Sequence, residues 1–452
     1  MLFRRYISEG LAHYSYLIGD EGRATVIDPR RDIDVYLEDA GRGGYHIDCV
    51  LETHRNEDYL IGSRELERAT GAENFHADSQ WNYHYGMEVQ DGQEWQVGRL
   101  MLKAIHTPGH TPGSMSYILH DPDGAPWIVF TGDALFSGDA GRVDLLGEDR
   151  LEEMAGMLYD SIFEKILPLG DGVILCPAHG SGSVCGGEIA ERLWTTIGLE
   201  RQLNPKLQVD TKAEFIDKHA EMLERPPYFR KMEELNLKGP DVLQALPELR
   251  PLQPNAFAEI ARSGQIVDTR EQVCFGAAHL PGSLSIWKGN LPSFAGWYLD
   301  YETPIAFVCD KKDRDSIVRM MVRIGFDRIS GYLDGGLIAW AKSGKRLNSI
   351  STPDQKEFQE MLEGDPAPFV LDVRSKSEIK DEGLRMGKRI HLTQILENLS
   401  EIPRDRFVVS VCTSGYRSML AASLLEKEGW KNLAVPVGGL AGWKAKDFNF
   451  EL

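Results

Sequence analysis

The sequence predicts an α/β protein of three domains, and three observations carry that prediction. At 452 residues the chain is too long for a single hydrophobic core. In its first half, short apolar runs end repeatedly in polar or ionisable residues, as in VIDPR, VLETH, AIHTPGH, WIVFTGD and VILCPAH. In its second half, whole motifs recur at an almost constant spacing.

Residues 1–240 make up the first predicted domain. Layered α/β folds collect their chemistry where strands hand over to loops, so the polar run endings point to one shared site. A helical stretch follows, and KGPDVLQALPELRPLQPN, rich in Pro and Leu, reads as a linker. Beyond it QIVDTREQ matches FVLDVRSK, FVCDKKDR matches SVCTSGYR, and YLDGGLIAW matches PVGGLAGW. Asp268 lies 104 residues before Asp372, Cys309 lies 103 before Cys412, and Trp340 lies 103 before Trp443. Three features at one spacing predict a tandem pair of α/β domains, residues 241–348 and 355–452, of about 100 residues each.

Composition narrows the function classes. The hydrophobic fraction of 42% and charged fraction of 26% are ordinary for a soluble globular chain. A net charge of −19 argues against nucleic acid as a partner, because phosphate contacts need a basic face. No apolar run approaches the roughly 18 residues of a membrane span. Ser8, Glu9 and His13 interrupt any signal-like stretch after the early Arg pair. The six cysteines are scattered and form no C-x-x-C, which argues against a secreted disulfide framework and for a reducing, cytoplasmic setting.

The chemically loaded positions of the first domain are Thr53, His54, Asn56, Asp58, His110, Asp133 and His179. Each follows an apolar strand, so side chains distant in sequence can converge. Two imidazoles and one carboxylate on one face leave about three coordination positions open, which suits non-haem ferrous iron and oxygen chemistry. Cys185 in HGSGSVCGG follows His179 closely; its thiol reads either as a sulfur relay or as a small buried hydrophobe.

This segment resembles the metallo-β-lactamase superfamily, which implies an αββα sandwich. The family's first motif, His-x-His-x-Asp-His, reads His54-Arg55-Asn56-Glu57-Asp58-Tyr59 here. The dinuclear hydrolases of the glyoxalase II kind need the histidines that Asn56 and Tyr59 replace. The persulfide dioxygenase branch holds a single iron, and its ligands map onto His54, His110 and Asp133. That resemblance implies one Fe(II) per chain, with Arg142 of the GRVDL stretch near the substrate and Asp144 holding the loop. His179 and Asp58 remain open between a role beside the metal and a structural one.

In the last domain RFVVSV runs into Cys412-Thr-Ser414-Gly415-Tyr-Arg417 and then into a helical sequence. A thiol between a strand and a helix N-terminus meets backbone N–H groups and the positive helix end, which lower its pKa and favour a bound anion. Gly415 permits the tight loop and Arg417 adds a cation. The loop resembles the rhodanese C-x-x-G-x-R active loop, and LDVRS upstream is typical of such domains. In the middle domain the corresponding loop is Cys309-Asp-Lys-Lys-Asp-Arg314, with no glycine and with two acids where an anion would bind. It reads as a structural or docking copy, with residual activity at Cys309 left open; Cys274 reads as packing.

Together these resemblances imply two tandem rhodanese-like domains behind a persulfide dioxygenase. The expected partners are a low-molecular-weight thiol persulfide, dioxygen, and sulfite or thiosulfate, and the expected assembly is a homo-oligomer. Two rival readings are a sulfurtransferase on an inactive lactamase scaffold and a metal-dependent thioester hydrolase.

Overall fold

The computed structural model describes every residue except 184, 188, 376–377, 379–386 and 447–452, so the end of the third predicted domain lies outside the described residues. The chain divides into two compact units. One comprises Met1–Leu246 with Arg319–Phe326, the other Pro247–Val318 with Asp327–Leu452.

Two six-stranded sheets, counted among the described residues, build the first unit. In the first, β1 (Leu2–Ser8), β2 (His13–Asp20), β3 (Arg23–Ile27), β4 (His46–Leu51), β5 (Glu73–His76) and β6 (Met87–Glu88) lie in sequence order. The second runs in reverse order, from β12 (Thr195–Thr196) through β11 (Ile174–Pro177), β10 (Pro126–Gly132), β9 (Met115–His120) and β8 (Leu100–His106) to β7 (Glu94–Val97). Strand alternation explains the layering. Tyr16, Ile18 and Leu51 share one core with Leu102, Tyr117 and Phe130 between the sheets. Their neighbours Leu17, Val26 and Val50 turn outward onto Tyr36 and Leu66 of the helices Asp34–Gly43 and Ser63–Thr70. On the far side, Val129 and Leu175 pack with Met154 and Leu158 of the helix Leu151–Asp160. The result is the expected αββα sandwich. Among the described residues no helix is long and apolar enough to cross a membrane.

Among the described residues, the second unit holds two parallel sheets. One has the order β13-β17-β16-β14-β15, from β13 (Pro251–Leu252), β14 (Gln265–Asp268), β15 (Leu284–Ser285), β16 (Ile305–Val308) and β17 (Ile329–Leu333). The other has β19-β18-β20-β21, from β18 (Phe369–Asp372), β19 (Lys388–Arg389), β20 (Val408–Val411) and β21 (Leu433–Ala434). The sequence repeat is repeated in the cores: Phe257 meets Trp340 nearly edge-on at 6.1 Å, and Phe358 meets Trp443 at 5.1 Å. It recurs at the strand ends too, where Arg270 grips Asp268 and Arg374 grips Asp372, each through two nitrogens. The linker expected from composition is shorter than its Pro-rich stretch, because Pro251–Leu252 forms β13 and Pro254 opens the helix Pro254–Ser263.

Candidate metal centre and thiol loop

The first site lies past the ends of β3, β4, β8, β10 and β11. Parallel pairing of β3 with β4 sets Ile27 opposite Leu51, so Asp28 arrives beside Thr53. The Thr53 N–H and Oγ1–H each donate to the Asp28 carboxylate at 2.8 Å. With its proton committed, Thr53 Oγ1 can only accept from His54 Nδ1, 2.9 Å away. His54 therefore carries its proton on Nδ1 and presents the Nε2 lone pair inward. Gly132 closes against this chain at positive φ, and a Cβ there would stand 2.6 Å from Thr53 Oγ1.

His110 is oriented in the same way from another loop. Its Nδ1 lies 2.9 Å from the Arg142 carbonyl, which fixes the proton there and leaves Nε2 as the free lone pair. Asp78 ties the two histidine loops together, accepting from Arg55 N, Thr111 Oγ1 and Gly113 N. Asp133 Oδ2 lies 3.7 Å from His54 Nε2 and 3.5 Å from His110 Nε2. Both Nε2 atoms are buried without a hydrogen-bond partner. Buried orphan lone pairs of this kind are costly unless a Lewis acid or a proton meets them. The donor set thus fits a metal ion.

Electrostatics point the same way. Burial by itself would lower the His110 pKa, but the Glu57 and Asp133 carboxylates overcome it and raise the group to about 9. Burial would raise the Asp133 carboxyl, yet His179, His54 and His110 hold it below the usual carboxylate range. The pocket favours positive charge at the imidazole face, where a cation can replace the proton.

His179 and Asp58 sit beside this point. The His179 Nδ1 lies 2.7 Å from Asp133 Oδ1, and its Nε2 lies 3.0 Å from Asp58 Oδ2. Burial opposes an imidazolium there, but the two carboxylates raise its pKa well above the ordinary value. His179 thereby orients Asp133. Tyr59, where a hydrolase would carry a histidine, is buried with its ring 3.9 Å from that of His13. The Asn56 amide turns back to the His54 carbonyl at 3.3 Å.

Arg142 is built into its own loop. Its Nε and Nη2 donate to Asp144 at 2.7 Å each, so the loop's direct contribution to His110 is the Arg142 carbonyl. Cys185 is buried, and its thiol donates to Glu57 Oε1 at 3.4 Å. Burial, with Asp58, Glu57 and Asp133 nearby, pushes that thiol well above its ordinary pKa, which disfavours a thiolate relay. Three residues at this site escaped the sequence reading: Glu57, Asp28 and Asp78. Asp28 closes the apolar run of VIDPR, and Glu57 lies inside the first motif.

The Asp28–Thr53–His54 chain yields a direct expectation. Asp28→Asn removes one of the two oxygens that receive the Thr53 protons and frees the His54 tautomer. Metal affinity should fall about 10- to 100-fold, measured by chelator competition, with the fold intact by circular dichroism.

The second site lies at the end of β20. Cys412 is buried, and the Gly415 N–H donates to its sulfur at 3.1 Å. Gly415 has φ +97° and caps the helix Tyr416–Lys427, so the strand-to-helix turn needs a residue without a Cβ. Arg417 binds the Glu378 carboxylate through both terminal nitrogens at 2.6 Å. The middle domain completes this loop. Gln272 donates to the Ser414 carbonyl at 3.0 Å, Tyr416 donates to Glu271 at 2.6 Å, and Trp287 stacks on Tyr416 with centroids 4.4 Å apart. In the middle domain itself, burial pushes the Cys309 thiol up to about 12, against the lowering effect of Arg314. That is the opposite of an activated nucleophile. Cys274, expected in the core, is exposed on the short helix Gln272–Ala277, because that helix buries Phe275 and Gly276 instead.

Comparison with known proteins places both sites in context. The profile of the Metallo-beta-lactamase superfamily matches residues 9–179, and that of the Rhodanese-like domain matches residues 253–343 and 354–446. Persulfide dioxygenase ETHE1, mitochondrial, of Bos taurus is 30% identical over 235 residues, covering 48% of this chain and 79% of that protein. Hydroxyacylglutathione hydrolase GloC of Haemophilus influenzae is 27% identical over 214 residues, covering 43% of this chain and 91% of that protein. A solved metallo-beta-lactamase from Staphylococcus aureus subsp. aureus COL aligns with a TM-score of 0.66 at 30% identity, over 74% of this chain and 98% of that one. These likenesses indicate an enzyme with a metal cofactor. The chain belongs to the metallo-β-lactamase superfamily and carries two rhodanese-like domains behind that fold, the arrangement of a persulfide dioxygenase fused to rhodanese.

Proposed function

We propose that the chain oxidises the terminal sulfur of a low-molecular-weight thiol persulfide at a ferrous centre held by His54, His110 and Asp133, and moves sulfane sulfur through Cys412. The observation that carries this reading is the pair of orphaned Nε2 atoms facing Asp133, beside a second-metal set from which Asn56 and Tyr59 have removed two histidines. Ferrous iron in such a site supplies open positions for a sulfur anion and dioxygen. The protein's part is to hold both imidazoles as Nδ1–H tautomers, to fix Asp133 through His179, and to lend the field of Arg142 to an anionic substrate. The balanced reaction takes one persulfide, one dioxygen and one water to one thiol, one sulfite and two protons.

Cys412 attacks the outer sulfur of a second persulfide, breaking the S–S bond and releasing the thiol. Sulfite then attacks the sulfane sulfur on Cys412, giving thiosulfate and the free thiolate. The likeness to a hydroxyacylglutathione hydrolase favours a second reading, thioester hydrolysis, against which Asn56 and Tyr59 weigh.

The test is product analysis on iron-reconstituted protein given glutathione persulfide and oxygen, with S-lactoylglutathione in a parallel reaction. The expected products are sulfite and thiosulfate, and the thioester survives. Thioester cleavage without oxygen uptake would replace this reading with the hydrolase.

A further inference from the structure

We infer that Glu57 is a fourth protein ligand of this centre, so that the metal is bound by two imidazoles and two carboxylates. The inference rests on the reading that His54, His110 and Asp133 hold a metal ion.

Glu57 is fully buried, and its Oε1 lies 3.3 Å from His110 Nε2. Its Oε2 has no hydrogen-bond partner, like the Nε2 atoms of His54 and His110. One ligand atom from each of His54, Glu57 and His110 falls within 4.8 Å of the other two, and the same holds for Glu57, Asp133 and Cys185. The carboxylate thus reaches both the histidine face and the Asp133 face of the same point.

Charge leads to the same assignment. Burying a carboxylate is expensive unless a cation answers it. Arg142 is gripped by Asp144, while Arg55 and Arg225 both pair with Glu233. The His179 ring stands between Asp133 and Asp58. A cation placed at the two Nε2 atoms would lie against the Glu57 carboxylate, whose Oε1 is 3.3 Å from His110 Nε2. A site with four protein ligands leaves about two positions open in an octahedron instead of three.

The experiment is titration of the metal-free full-length chain with Co(II), following the visible bands for coordination and chelator competition for affinity. Wild type, Glu57→Gln, Glu57→Ala, Cys185→Ser and His110→Ala are compared, each checked for folding by circular dichroism. Both Glu57 variants should bind Co(II) at least about 10-fold more weakly than wild type, with shifted visible bands. Wild-type affinity in Glu57→Gln and Glu57→Ala, with His110→Ala still defective, would overturn the inference and leave the metal centre standing. Weaker binding with unchanged bands would also overturn it, since Glu57 would then act through charge alone. A sulfur-to-cobalt absorption in wild type that vanishes in Cys185→Ser would give the ligand position to Cys185 instead. If wild type binds no Co(II) or Fe(II), the parent reading fails together with this one. Glu57→Gln keeps the side chain's size, so the comparison survives even if Glu57→Ala does not fold.

Discussion

His110→Ala is expected to lose persulfide-dependent oxygen uptake by more than about 100-fold, together with most of its bound iron. Removing only the outer partner of a metal-bound histidine costs about 10- to 100-fold, and removing the ligand removes more. Neither neighbouring imidazole at the site replaces it, because His54 is committed to its own Nε2 direction and His179 is held by Asp133 and Asp58. Iron content by colorimetric assay and oxygen uptake at an electrode should fall in parallel. Unchanged iron content in the variant would mean that the ion sits elsewhere. Sulfur transfer from thiosulfate should continue in this variant, since Cys412 belongs to a separate domain with its own core.

Cys412→Ser carries the second large effect. Serine preserves the shape of the buried position but cannot form a persulfide, so transfer between thiosulfate and an acceptor thiol should fall at least about a thousandfold. Oxygen uptake and iron content should stay within about twofold of wild type. The product of persulfide oxidation should then be sulfite in place of thiosulfate. Continued thiosulfate formation by Cys412→Ser would assign the transfer to another thiol, and Cys309→Ser would be the next variant to assay. The elevated Cys309 pKa argues that Cys309→Ser alone changes little.

The sequence carried the large features because each rests on a local rule. Trp340 and Trp443 anchor matching cores, so the repeat at constant spacing translated directly into two similar domains. His54, His110 and Asp133 follow apolar strands, and strand ends in a sandwich converge. What stayed hidden depends on approach across the sheet. Asp28 reaches Thr53 only because β3 and β4 pair in the register Ile27 to Leu51. Asp78 ties loops that lie far apart in the chain, and its place after β5 gives no hint of that. Glu57 lies inside the first motif at a position where the family pattern requires no particular residue. Arg142 carries a detail that its motif does not spell out: its Nε and Nη2 hold Asp144, and its carbonyl orients His110. Cys274 looked like packing, yet the helix that carries it buries Phe275 and leaves the thiol outside.

The most direct test of the central claim is the oxygen stoichiometry of the iron-loaded chain. Protein reconstituted anaerobically with Fe(II) and transferred to glutathione persulfide should bind one iron per chain and consume one dioxygen per sulfite-equivalent formed. Bound iron with no oxygen uptake, tried across persulfides of glutathione, coenzyme A and bacillithiol, would contradict the dioxygenase account and leave Cys412 as the chain's working site.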